Sequence, residues 1–120
     1  MAKILVVSVE ELKRDALKIG VAARLLQRFL DRHCREGSEK GCKEVRRRLS
    51  VLTRGLMIAL TLLDEVSPKS VREIMDLLGI QFVPTRISMR TLEAARKVAD
   101  RVLGPADPLK VLARLALSRA

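Results

Sequence analysis

Residues 45–66 read VRRRLSVLTRGLMIALTLLDEV, and the fold turns on them. Val45, Leu49, Leu52, Leu56, Ala59, Leu63 and Val66 recur at alternating steps of four and three, which is one continuous helical stripe. Between Arg54 and Asp64 the apolar surface widens, because Met57, Ile58, Leu60 and Leu62 fill the other sides. A helix that is apolar all round is covered from several directions. The expectation is a central core helix with the other helices packed around it.

Upstream, Ser8 and Glu11 have the spacing of a capping box. Leu12, Ala16, Ile19, Ala23, Leu26, Leu30 and His33 then repeat the four-three alternation, passing Gly20 without a change of phase. This predicts one long helix from residue 9 to about residue 34. Residues 35–41 are polar and hold Gly37 and Gly41, so they form a loop. A short loop between two long helices makes them antiparallel neighbours. The second helix begins near residue 42 or 43, with Arg46, Arg47 and Arg48 on a solvated helix end. Leu17, Ala22, Leu25 and Phe29 broaden the first stripe beyond what one antiparallel partner covers, which predicts a homodimer burying part of that helix. Residues 3–7 are rich in β-branched side chains and read either as a strand, paired with a second copy, or as a lead-in.

Downstream, Ser67-Pro68 has the cap-plus-proline form of a helix start. The third helix runs to Leu78 with Val71, Ile74, Met75 and Leu78 inward, and Gly79 ends it. Residues 80–86 include Pro84 and are extended or turned. A fourth helix over residues 88–103 buries Leu92, Ala95, Val98, Ala99 and Val102. Its other face exposes Arg90, Arg96, Lys97 and Arg101. Gly104-Pro105 stops it, and Asp107-Pro108 opens a last helix with Leu109, Leu112, Leu115 and Ala116 inward. The chain therefore reads as one all-α domain of 120 residues. A long antiparallel hairpin (9–66) precedes a helix-turn-helix-like unit (67–103) and a C-terminal helix (107–119).

The formal net charge is +10, from 24 Lys and Arg against 14 Asp and Glu. Such a charge, not confined to one tail, implies a polyanionic partner. Trp, Tyr and Asn are absent, a composition in keeping with a thermophile. With Phe29 and Phe82 as the whole aromatic complement, base-stacking platforms are nearly excluded. No apolar run approaches the roughly 20 residues of a membrane span. The N-terminus lacks the pattern of a secretory signal, so a cytoplasmic protein is expected.

Residues 70–80, with the upstream support of 56–66 and the following Ser88-Met89-Arg90-Thr91-Leu92, resemble the helix-turn-helix DNA-binding family over residues 56–103. The resemblance implies a transcriptional regulator that binds duplex DNA. Arg86, Ser88, Arg90 and Thr91 would then reach bases or nearby phosphates, and Arg96, Lys97 and Arg101 would lie on the backbone. A break at Gly20 would instead give strand, helix, helix, which resembles the ribbon-helix-helix DNA-binding family. Gly55-Leu56-Met57-Ile58-Ala59-Leu60 is similar to a segment of the small all-helical subunits of type III CRISPR effector complexes. That implies a non-catalytic subunit of a larger nucleoprotein assembly.

Other chemistry has less to stand on. Cys34 and Cys42 flank the hairpin loop, and a disulfide and two buried thiols both fit. His33 with these cysteines lacks the paired spacing of a zinc site, so no metal is expected. His33 falls on the core stripe, where its expected role is packing. Arg28 and His33 share the Arg-x4-His spacing of one class of helical ribonucleases, a spacing any helix offers often. No cofactor, small-molecule substrate or enzymatic activity is expected.

Overall fold

The computed structural model describes residues 8–34 and 41–117. They form five helices: α1 (Val9–His33), α2 (Cys42–Val66), α3 (Pro68–Leu78), α4 (Met89–Leu103) and α5 (Pro108–Leu117). No strand occurs among the described residues, and residues 3–7 lie outside them. The local signals act where the sequence places them. Ser8 caps α1 by accepting from the Glu11 amide, Ser67 caps α3 through the Ser70 amide, and Ser88 caps α4 through the Thr91 amide. Gly79 ends α3 at φ 64°, a left-handed conformation that a residue with a Cβ adopts only under strain.

α1 and α2 are the long packed pair, and a disulfide between Cys34 and Cys42 joins their adjacent ends. Of the two readings open for these cysteines, the structure shows the bonded one. The hairpin has two cores. The main one takes Leu12, Ala16, Ile19 and Ala22 from α1, residues 52–63 of α2, and the inner faces of α3 and α4. A small second core at the hairpin tip gathers Leu30 and the two half-cystines, flanked by Val45 and Leu49. The tip thus lies beyond the main core, and the molecule is 50 Å long against 31 and 27 Å across.

The expectation of α2 as the single hub needs correction. α1 packs against all four other helices, whereas α5 rests chiefly on α1. Val21, off the α1 stripe, is fully buried, because α1 is covered on more sides than its periodicity suggested. Ala22 is fully buried and Leu17 and Leu25 are half-buried within one chain, which leaves Phe29 as the exposed large apolar residue of α1. His33, in the last turn of α1, is exposed rather than packed in the core, with its ring against Phe29. Leu109, expected inward, is 49% exposed, and no residue of α5 is fully buried. Val66, at the end of the α2 stripe, is also exposed.

Two glycines mark the closest helix approaches. A Cβ on Gly55 would stand 2.1 Å from the Ala95 Cβ, where α2 meets α4. A Cβ on Gly20 would stand 2.3 Å from a methyl of Leu78, where α1 meets α3. Ion pairs follow the same contacts. Lys13 Nζ lies 3.0 Å from Glu73 on α3, and Lys18 Nζ lies 2.5 Å from Asp100 on α4.

Candidate nucleic-acid interface

α4 is built from a core face and an opposite solvent face. Leu92, Ala95, Ala99 and Leu103 are buried. At about 100° per residue, Arg90, Lys97 and Arg101 fall within roughly 40° of one another, directly opposite those four. All three are exposed, and among the described residues none has an acidic partner. Arg86 is exposed on the connection leading into the helix.

Arg96 behaves differently from the exposed cation the sequence suggested. It sits on the flank of α4 that meets α1, with its side chain 28% exposed. Nε donates to Asp15 Oδ2 at 2.8 Å, and Nη1 pairs with Glu93. Burial pulls the guanidinium pKa down, but Asp15 and Glu93 outweigh it and hold it above the ordinary arginine value. Arg96 is therefore an interhelical clamp. The clamp and the Lys18–Asp100 pair engage Asp15, Glu93 and Asp100, and no acidic residue falls on the Arg90, Lys97 and Arg101 stripe.

Ser88 and Thr91 are also occupied. The Ser88 hydroxyl accepts from the Thr91 amide at 3.3 Å and lies 3.1 Å from the Thr91 hydroxyl, so both side chains are spent on the cap. The arrangement of α3 and α4 bears on the helix-turn-helix resemblance. A connection over residues 79–88 separates them and is held across α2, where the Thr85 amide donates to Thr61 Oγ1 at 3.1 Å. Each helix packs on the hairpin, and the two meet at most marginally. A recognition helix of that family is braced by its partner helix, whereas α4 is braced by α1 and α2.

A second basic surface was not singled out by sequence periodicity. Among the described residues, 24–34 and 41–54 hold eight Lys or Arg against Asp31 and Glu44, so this half of the hairpin is strongly basic. Lys43, Arg46, Arg47 and Arg48 are all exposed, and Glu44 lies within 3.6 Å of Arg47 and 3.4 Å of Arg48. A simple charge count along the chain would have found it.

The remaining candidates assemble no chemistry. Five residues of helix turn by about 140°, so Arg28 and His33 diverge. His33 instead packs on Phe29, with ring centroids 4.8 Å apart. The cysteines are committed to the disulfide, and among the described residues no three His, Cys, Asp or Glu side chains converge. A groove of about 1020 Å³ runs between α1 and α2 beside the end of α5. Its floor is apolar, from Leu49, Leu56, Met57 and Leu78. At its edge Arg24 donates to the Leu78 carbonyl and so caps the C-terminal end of α3. Among the described residues, no helix is long and apolar enough to cross a membrane. Comparison with protein-family models, with curated proteins and with solved structures gives no match to this chain.

Proposed function

We propose that this chain is a non-catalytic nucleic-acid-binding protein that lays the outer face of α4 along the phosphate backbone. One observation carries the reading: Arg90, Lys97 and Arg101 form a cationic stripe opposite the core, while Asp100 is paired with Lys18 of α1 and Glu93 with Arg96 of α4 itself. Cations without local partners are free to neutralise phosphates and release counterions, which makes binding strong at low salt and tolerant of sequence. With Ser88 and Thr91 tied into the cap, Arg90 and Arg86 are what remains near the helix start for contact with base edges. This supports a helical subunit of a nucleoprotein assembly over a sequence-reading regulator. The regulator reading keeps one support, the exposure of Arg86 and Arg90 at the start of α4.

Titration of duplex DNA, single-stranded DNA and RNA, each of mixed sequence, at about 50 and about 200 mM salt tests this. Binding that weakens steeply with salt and varies little with sequence is expected. No binding to any of the three at the lower salt would overturn the proposal.

A further inference from the structure

Lys43, Arg47, Ser50 and Arg54 recur along α2 at steps of four, three and four. At about 100° per residue they fall within roughly 60° of one another, on the side away from the buried Cys42, Leu52 and Leu56. All four are exposed, and the stripe covers about 16 Å of helix without an acidic residue on it. The stripe weakens the helix that carries it. Lys43 stands in the first turn, where the helix dipole disfavours cations, and Gly41 brings no side-chain cap there. Lys43 and Arg47 are a like-charged pair one turn apart. Glu44 lies 3.6 Å from Arg47, but both side chains are exposed, and such a pair is worth little. Lys43 and Arg54 have no acidic partner among the described residues.

The far end of the stripe meets the start of α4. Gly55, next to Arg54, packs on Ala95, and the Thr91 carbonyl lies 3.8 Å from the same Cβ position. The first turn of α4, with Arg90, therefore lies against the turn of α2 that carries Arg54. Thr61, further along the line of the stripe, accepts from the Thr85 amide, which sets the exposed Arg86 beyond the stripe's end.

We infer that one single-stranded nucleic acid runs from the α2 stripe of Lys43, Arg47 and Arg54, past Arg86, onto the α4 stripe. This rests on the α4 stripe being a phosphate track. Exposed cations in line and clear of acids suit a partner whose charges recur along a chain, as phosphates do. The geometry selects the form of that partner. Gly55 faces about 110° round α2 from the stripe, so the path from one helix to the other bends sharply. A single strand bends within a few nucleotides, whereas the persistence length of a duplex is about 150 base pairs.

Mixed-sequence single-stranded DNA of about 24 nucleotides is long enough to follow both stripes. Lys43→Ala, Arg47→Ala and Arg54→Ala together should weaken its binding about tenfold at low salt and make the salt slope shallower by about two. A strand of about six nucleotides, or a blunt duplex, engages one stripe at a time, so the same variant should lose about twofold on either. The substitutions replace exposed cations by the best helix former, so the melting temperature should stay level or rise. Unchanged affinity and slope on the long strand overturn the inference and leave the α4 reading standing. Losses no larger on the long strand than on the short strand or the duplex also overturn it, by making the stripes separate sites. If the α2 variant binds weakly while an Arg90, Lys97 and Arg101 triple alanine variant binds as wild type, the α4 reading fails and the joined track with it.

Discussion

Gly55 and Gly20 occupy the two tightest helix crossings, yet the same substitution should affect them differently. At Gly55 an added methyl meets the Cβ of Ala95, with Thr91 backbone also near, so the helices themselves must part. Overpacking of this kind costs about 1–3 kcal/mol, more than the roughly 1 kcal/mol that alanine returns in helix propensity. Gly55→Ala should therefore lower the denaturation midpoint. At Gly20 the obstacle is the far end of the Leu78 side chain, which can rotate away. Gly20→Ala should be near neutral in the same urea titration. Equal losses for the two variants would contradict this reading of the crossings. The sequence shows that the helical phase runs through Gly20, but not which helix crosses there, because that depends on α3 docking from far along the chain. Arg96 is similar. Its spacing puts it off the apolar face, and only the docked position of Asp15 makes it a clamp.

At the scale of elements, the Cys34–Cys42 disulfide closes a short loop at the hairpin tip. Chain entropy gives a cross-link of this span about 2.5 kcal/mol in the loop-closure model. The oxidised protein should show no titratable thiol and melt above the reduced form. Two thiols in native, unreduced protein would contradict it. α5 lies at the other extreme, since none of its residues is fully buried. Its amides should exchange with solvent well before those of residues 52–63 of α2, which line the core. Protection of α5 equal to that of α2 would show that it is held more firmly than its burial implies. All five helices were legible in the sequence because their caps and stripes are local signals. The hub role of α1 was not, because Val21 gains its cover from helices whose docking no local pattern encodes.

For the whole molecule, α3, α4 and α5 also pack on α1, so that within one chain Ala22 is fully buried, Leu17 and Leu25 are half-buried and Phe29 is exposed. The protein should sediment as a monomer at tens of micromolar, and a stable dimer there would contradict the self-contained core. The net charge of +10 was plain from composition, and the stripe of Arg90, Lys97 and Arg101 from helical spacing. The selection of that stripe over Arg96, Ser88 and Thr91 was not, since it depends on which side chains the fold itself occupies. The most direct test of the nucleic-acid account compares wild type with the Arg90, Lys97 and Arg101 triple alanine variant across a salt series. Each phosphate contact contributes about 0.7–0.9 to the slope of log affinity against log salt. The variant should bind more weakly at low salt, with a slope shallower by about two to three. Identical affinities and slopes for the two proteins would contradict the claim that α4 carries the interface.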